Sequence, residues 1–300
     1  MLDKIIFTID ANKKTAKQLA DDLKIPLGEV SITHFSDGEV ICKTLSDVKN
    51  KYVYIIESTS KPAITRLFEI LLLVDSIKRA GASKITLIMP YFGYSRQDTS
   101  YDNEPVSSEV VARMLNVSGI DELMSLDFHT KKIMNFFNVP IKNLSTTSLF
   151  KKYYEDIFNK RNIKNDNVLI ISPDHGANDR AHHLCDALKA NDVVILKKSR
   201  PRPNEAETLF IEGDIKDKVC IIIDDIIDTG TTIVNAVKIL LDKGAKEVYV
   251  GATHAVFSTD AARRINEAGA IDIVVTNSIE KRLPPFVHIL SIQSLLEALI

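Results

Sequence analysis

Val219-Cys220-Ile221-Ile222-Ile223-Asp224-Asp225-Ile226-Ile227-Asp228-Thr229-Gly230-Thr231-Thr232 is the stretch that decides the fold. An apolar run ends in two carboxylates, a short turn rich in Asp, Gly and Thr follows, and Ile233 to Leu241 is apolar at helical spacing. This pattern predicts a buried parallel strand over Val219–Asp224, a tight loop and a helix start. Backbone N–H groups, threonine hydroxyls and the positive end of a helix dipole would meet in that loop, and together they suit a phosphate. Asp224 and Asp225, at the expected strand end, could accept hydrogen bonds from sugar hydroxyls or hold Mg²⁺ through water. A phosphorylated sugar fits two acids beside a phosphate cradle better than a bare nucleotide tail does. The alternative is a plain strand–turn–helix joint with solvated acids.

The loop resembles the phosphoribosyl-pyrophosphate loop of the type I phosphoribosyltransferase fold. Outward from it, apolar strand patterns alternate with amphipathic segments along the whole chain. Candidate strands are 5–9, 52–56, 85–89, 168–172, 193–196, 219–224, 248–252 and 273–276. Candidate helices include 16–23, 65–80, 107–116, 180–190, 232–243 and 261–269. Such alternation predicts α/β domains with mostly parallel sheets flanked by helices. A weak internal repeat divides the chain. Thr65 to Ile88 runs helix, Gly81-Ala82-Ser83-Lys84, strand; Thr232 to Val250 runs helix, Gly244-Ala245-Lys246-Glu247, strand. Each Gly is placed to end its helix in the left-handed conformation. Ile55-Ile56-Glu57-Ser58-Thr59-Ser60 stands where the sugar-phosphate loop stands in the second half. Two related domains are therefore expected, 1–142 and 143–300, joined by a polar connector near 140–147, with the last residues packing back on the first domain.

Composition narrows the class. Three hundred residues suffice for two domains with their own cores. A net charge of −2 gives no electrostatic case for a nucleic-acid partner. Cys42, Cys185 and Cys220 are dispersed and form no Cys-x-x-Cys pair, which suits a reducing cytoplasm rather than a disulfide framework or zinc site. The N-terminal segment does not read as a signal peptide, and no apolar run is long enough to span a bilayer. A cytoplasmic protein with neither membrane nor nucleic-acid partner is expected. No Gly-x-x-x-x-Gly-Lys-Ser/Thr occurs, and no Gly-x-Gly-x-x-Gly follows a strand, so any nucleotide is held by other means.

Several further clusters bear chemistry. In Phe35-Ser36-Asp37-Gly38-Glu39 an adenine could stack on Phe35 while a carboxylate accepts its amino hydrogen; alone, the stretch reads as a turn. Arg96 of Arg96-Gln97-Asp98 could grip a phosphate through two parallel bonds. His129 follows an apolar turn, and Asp174 follows a strand in Ser172-Pro173-Asp174; one histidine and one aspartate, with water and substrate phosphates, could make a Mg²⁺ site, since Mg²⁺ usually keeps few protein ligands. A long loop expected over 197–207 carries Lys198 and Arg200, cations able to close over charge that develops in phosphoryl transfer.

Taken in order, these clusters are similar to those of the ribose-phosphate pyrophosphokinase (phosphoribosyl-pyrophosphate synthetase) family, over nearly the whole chain. The resemblance implies two tandem phosphoribosyltransferase-like domains and transfer of the pyrophosphoryl group of Mg·ATP to the C1 hydroxyl of D-ribose 5-phosphate. It implies ATP at Phe35, Asp37, Gly38, Glu39, Arg96 and Gln97, with Asp98 beside them. It implies Mg²⁺ at His129 and Asp174, Lys198 as the catalytic cation with Arg200 assisting, and ribose 5-phosphate at Arg200, Asp224, Asp225 and Asp228, Thr229, Gly230, Thr231, Thr232. It also implies a dimer-based homo-oligomer, a tetramer or hexamer, with ATP sites completed by a neighbouring subunit. The chain departs from the family at Lys197, Ser199, Thr99 and Thr231, where an acid, an arginine, a basic residue and a glycine are usual. A phosphoribosyltransferase and a non-catalytic regulatory relative are the rival readings.

Overall fold

The computed structural model describes residues 3–174, 176–199, 208–211 and 213–300; the side chains of 197–199 and 208–210 lie outside that description. The chain divides into two compact units, Met1–Leu144 with Ser278–Glu280 and Gln293–Ile300, and Ser145–Asn277 with Lys281–Ile292.

The first unit contains β1 (Lys4–Phe7), α1 (Lys13–Leu23), β2 (Val30–His34), β3 (Val40–Thr44), β4 (Tyr52–Ile56), α2 (Ala63–Arg79), β5 (Lys84–Met89), α3 (Ser107–Ser118), β6 (Glu122–Leu126) and β7 (Ile141–Leu144). Its parallel sheet has the order β1-β4-β5-β6-β7, and β2 and β3 form a separate antiparallel hairpin. Central strands are buried on both faces: Ile55, Leu87 and Leu123 on one have no exposed surface, and Ile56, Ile88 and Met124 on the other are at most 1% exposed. A fully buried side chain of this kind contributes about 1.5–3 kcal/mol.

The second unit contains α4 (Thr147–Arg161), β8 (Val168–Ser172), α5 (Asn178–Leu188), β9 (Asp192–Ser199), β10 (Thr208–Ile211), β11 (Val219–Ile227), α6 (Thr231–Asp242), β12 (Glu247–Ala255), α7 (Ala261–Glu267), β13 (Asp272–Thr276) and β14 (Val287–Leu290). Its sheet runs β10-β9-β8-β11-β12-β13-β14, parallel except for the β9–β10 pair. Helix α6 buries Ile233, Val234, Ala236, Val237 and Leu240, the apolar face its spacing predicts.

The repeat expected from the sequence is present bond for bond. Gly81 and Gly244 both have positive φ, 89° and 84°. Gly81 O accepts from Asn50 N (2.8 Å) and Gly244 O from Asp217 N (2.9 Å); Lys51 O accepts from Ser83 N (2.9 Å) and Lys218 O from Lys246 N (2.8 Å). The partners of these joints lie in a second pair of matching stretches, Asp47-Val48-Lys49-Asn50-Lys51 and Asp214-Ile215-Lys216-Asp217-Lys218, each with an aspartate accepting from the lysine N two residues on. That signal was readable in the sequence and was missed.

Other elements differ from expectation for identifiable reasons. Strands β2, β3, β6, β7, β10 and β14 and helix α4 were not anticipated. Glu122, which heads β6, masks its apolar pattern, yet is held by Lys84 (2.8 Å) and Lys142 (2.9 Å). The connector expected near 140–147 includes β7, paired in parallel with β6. In α4 the buried stripe Phe150, Tyr154, Phe158 is diluted by charged neighbours. Among the described residues no helix is long and apolar enough to cross a membrane.

Candidate active site

In the second unit, β9 and β10 lie to one side of β8, and β11 to β14 to the other. The sheet's winding therefore reverses between β8 and β11. At such a switch point the loops leaving two neighbouring strands diverge and open a crevice at the carboxyl edge, where ligands of open α/β sheets bind. The chain leaves β8 into Pro173-Asp174 and leaves β11 into Asp228-Thr229-Gly230.

Strand β11 is longer than expected. It does not end at Asp224 but continues to Ile227, because pairing with β12 persists through Asp224↔Ala252 and Ile227↔Ala255. Pairing with β8 stops at Ile222↔Ile171. Asp224 and Asp225 thus lie in strand, just past the point where β11 loses one neighbour, on the crevice side of the sheet's edge.

The two acids occupy different environments. Asp225 is 5% exposed, and its backbone N–H donates to Asp224 Oδ1 (2.9 Å). Asp224 is half-buried, and its pKa lies well above the usual aspartate range. Burial is the main cause; the Asp225 charge and hydrogen bond and the Asp174 charge add to it, and the Arg180 guanidinium opposes it. The crevice therefore gathers Asp174, Asp224 and Asp225 with Arg180 as counter-charge. Arg180, at the start of α5, was not singled out from sequence; only the fold reveals its effect on Asp224.

The turn after β11 is built for a compact anion. Gly230 takes φ 75° as the residue before α6, and its carbonyl accepts from Val234 N (2.8 Å). Arg264 Nη1 donates to Thr229 O (3.1 Å), which holds the turn from α7. Thr229 and Thr231 are exposed, so their hydroxyls and the first N–H groups of α6 are accessible. A Cβ on Gly230 would stand 3.0 Å from the Ala261 Cβ, in a backbone region that β-branched residues avoid. Gly230→Val should therefore distort the turn and weaken any phosphate held there roughly ten- to hundredfold, from about 1–3 kcal/mol of strain. Titration with a phosphate monoester would check it; an unchanged affinity would remove this turn from anion binding.

The loop from β8 is preorganised at Asp174, whose Oδ1 accepts from Ala177 N (3.1 Å) and whose carbonyl accepts from Ser172 Oγ (2.6 Å). Among the described residues no group of three or more His, Cys, Asp and Glu could cage a metal. Hard carboxylate oxygens without a protein cage are what Mg²⁺ takes, since it keeps waters and uses few protein ligands.

The expected nucleotide residues lie in the first unit. Phe35 to Glu39 form the tip of the β2–β3 hairpin, closed by Phe35 N to Glu39 O (2.8 Å), with Gly38 at φ 93° and Asp37 Oδ1 accepting from Glu39 N (3.0 Å). The tip is a turn, as its residue types imply, and Phe35 is 50% exposed. Arg96 and His129 are on loops leaving the neighbouring strands β5 and β6. Arg96 and Gln97 are exposed, whereas Asp98 is buried. The Asp98 carboxylate accepts from Thr130 Oγ1 (2.5 Å) and Thr99 Oγ1 (3.1 Å), tying the Arg96 loop to the His129 loop; beneath them Phe92 meets Phe128 edge-on. Thr130→Val should cost about 1.5–3 kcal/mol of stability, while Thr130→Ser should be near neutral. Urea midpoints would show it, and equal midpoints for the two variants would exclude the tie.

The long loop expected over 197–207 is shorter, because β9 runs on to Ser199 and pairs antiparallel with β10, Lys198 opposite Leu209. The Lys198 backbone is therefore strand; its side chain and all of Arg200 lie outside the described residues.

Residues 4–119 match the family model described as the N-terminal domain of ribose phosphate pyrophosphokinase, and residues 174–289 match the phosphoribosyl synthetase-associated domain. The chain is 42% identical to ribose-phosphate pyrophosphokinase 1 of Listeria monocytogenes, over 91% of this chain and 85% of that protein. It is 41% identical to the ribose-phosphate pyrophosphokinase of Bacillus subtilis, over 94% and 88%. The crystal structure of phosphoribosylpyrophosphate synthetase from Mycobacterium smegmatis superposes with a TM-score of 0.90 at 32% identity, covering 99% of this chain and 97% of that one.

Proposed function

This chain belongs to the ribose-phosphate pyrophosphokinase family, and from that premise we propose how its residues divide the work of the reaction. The enzyme transfers the pyrophosphoryl group of ATP to the C1 hydroxyl of D-ribose 5-phosphate, giving 5-phosphoribosyl 1-diphosphate and AMP for nucleotide biosynthesis. The C1 oxygen attacks the β-phosphorus in line, and AMP leaves. Such a transfer needs little covalent help; the protein aligns the reactants and stabilises charge.

In this reading the turn Asp228, Thr229, Gly230, Thr231, Thr232 holds the 5-phosphate. Asp224 and Asp225 accept hydrogen bonds from the ribose hydroxyls and so orient C1. Phe35, Asp37, Gly38 and Glu39 receive the adenine, and Arg96 and Gln97 bind the nucleotide. Asp98 supports them through its bond to Thr130. Lys198 and Arg200 supply positive charge to the transferring group. His129 and Asp174 would be the residues that hold Mg²⁺, which uses few protein ligands. When bound, the ion neutralises charge on the ATP phosphates. The first unit would be the nucleotide-binding domain and the second the sugar-phosphate domain, with the boundary near residue 142. A cytoplasmic homo-oligomer follows the family pattern; the exposed hairpin tip and the exposed Val110, Met114 and Val117 on one face of α3 support subunit association.

The observation that carries this reading is the crevice at the β8–β11 switch point, where a carboxylate cluster adjoins a Gly-Thr-Thr anion turn. Phosphorus-31 NMR of the protein with Mg·ATP and ribose 5-phosphate tests it. AMP and a new diphosphate ester should appear with no nucleobase present; orthophosphate and ADP alone would reject it.

A further inference from the structure

The repeat places Glu57 in the first unit where Asp224 stands in the second. Lys51 and Lys218 precede β4 and β11, and Ile55-Ile56-Glu57 aligns with Ile222-Ile223-Asp224. The strand neighbours correspond as well. β1 pairs with β4 through Phe7↔Ile55, as β8 pairs with β11 through Ile171↔Ile222. Counting forward from Phe7 and Ile171, Asp10 in the loop after β1 matches Asp174 in the loop after β8.

In the first unit the corresponding carboxylate is enclosed by donors. Glu57 has no exposed surface. Its Oε2 accepts from Ile9 N (2.9 Å), Asp10 N (3.1 Å) and Thr8 Oγ1 (3.1 Å). Its Oε1 accepts from Ala11 N (2.7 Å), Asp10 N (3.3 Å) and Arg66 Nη1 (3.2 Å). Three successive backbone N–H groups, a hydroxyl and a guanidinium thus converge on one buried carboxylate. Successive N–H groups of this kind form a nest, the backbone device that elsewhere takes phosphate. Burial raises the Glu57 pKa, while Ala11, Ile9, Thr8 and Arg66 all pull it down, as donors arranged for an anion must. The nearby start of α1 is likewise taken by a carboxylate: Lys14 N (3.0 Å), Thr15 N (2.7 Å) and Thr15 Oγ1 (2.6 Å) donate to Glu280.

We propose that the first unit holds an anion-binding nest of the phosphate class at Ile9–Ala11, in the place of the Asp174 loop of the second unit, and that the Glu57 side chain is its resident occupant. Asp224, a methylene shorter, is half-buried where β11 has lost β8 as a neighbour. This inference rests on the reading of the second-unit crevice as the ribose 5-phosphate site.

The test is anion rescue. Glu57→Ala and Glu57→Gln are compared with the unaltered protein by thermal melting, in chloride and in graded inorganic phosphate. The unaltered protein taken through the same phosphate series gives the response of the second-unit site, which is subtracted. Glu57→Ala should melt well below the unaltered protein in chloride and recover most of that gap in phosphate, with saturation. Glu57→Gln, whose amide fills the nest, should show no phosphate response. A gap unchanged by phosphate would overturn the proposal. If Glu57→Ala does not accumulate folded, refolding from urea decides: recovery in phosphate but not chloride supports the site, and failure in both overturns it. Product formation by the unaltered protein is read separately, so a failed rescue beside normal turnover sinks only the Glu57 inference.

Discussion

Lys198→Ala is expected to fold, to bind ribose 5-phosphate with near-normal affinity, and to lose about 3–4 kcal/mol of transition-state stabilisation, a roughly hundred- to thousandfold fall in kcat. The expectation comes from the chemistry of the step. Negative charge is redistributed over the transferring oxygens as the bond to AMP breaks, and a cation placed there beforehand stabilises the transition state more than either ground state. Lys198 is carried by β9, the strand beside β8, so its backbone is anchored in the sheet that also supports the crevice. The sugar is assigned to residues of β11 and the following turn, which the substitution leaves untouched. Single-turnover kinetics beside a direct ribose 5-phosphate titration separates the two effects. Turnover within threefold of the unaltered enzyme would take Lys198 out of the chemistry. Lost turnover with lost sugar binding would make it a binding residue instead.

Asp224→Asn should act in opposite directions on activity and on stability. The amide cannot replace a charged acceptor for a sugar hydroxyl, and a hydrogen bond to a charged group is worth about 1.5–3 kcal/mol, so kcat/KM should fall about 10- to 100-fold. Stability should move the other way. Burial, with Asp225 and Asp174 close by, raises the folded pKa of Asp224 well above its unfolded value. An acid of that kind stabilises the fold fully only below its unfolded pKa, and the contribution is lost as pH rises through the folded pKa. As pH rises through the folded pKa the ionised carboxylate therefore becomes a burden that asparagine removes. Ligand-free Asp224→Asn should melt above the unaltered protein at pH 8, and the gap should shrink at low pH. A variant less stable at pH 8 would show that Arg180 and neighbouring donors outweigh the desolvation. Functional sites commonly hold charge at such a cost, because ligand groups satisfy it on binding.

Much of this enzyme was legible from residues alone. Periodicity located most of the parallel strands, since a strand buried on both faces reads as a short apolar run whatever surrounds it. Gly81 and Gly244 marked helix ends because only a left-handed turn fits there, and both adopt it. The Asp-Thr-Gly-Thr-Thr stretch marked a turn that opens a helix, and α6 begins there after Gly230 at φ 75°, because glycine and a helix start are local features. Elements whose stability is not local were missed. Helix α4 depends on an aromatic stripe against the sheet, β6 on two lysines that neutralise Glu122, and β7 on its neighbour.

The amino-acid sequence by itself determined the α/β class, the two-fold repeat and the kinds of side chain available for phosphate, sugar and nucleotide. Only the tertiary structure decided which of them share a space. Strand order, which no single segment encodes, put the winding reversal between β8 and β11 and so brought Asp174 and Arg180 to bear on Asp224. It also gave Glu57 and Asp224, alike in residue type and position, opposite fates, one enclosed by backbone donors and the other left at an open edge. The reason is that burial and electrostatic coupling are properties of neighbours in space, and those neighbours come from distant parts of the chain.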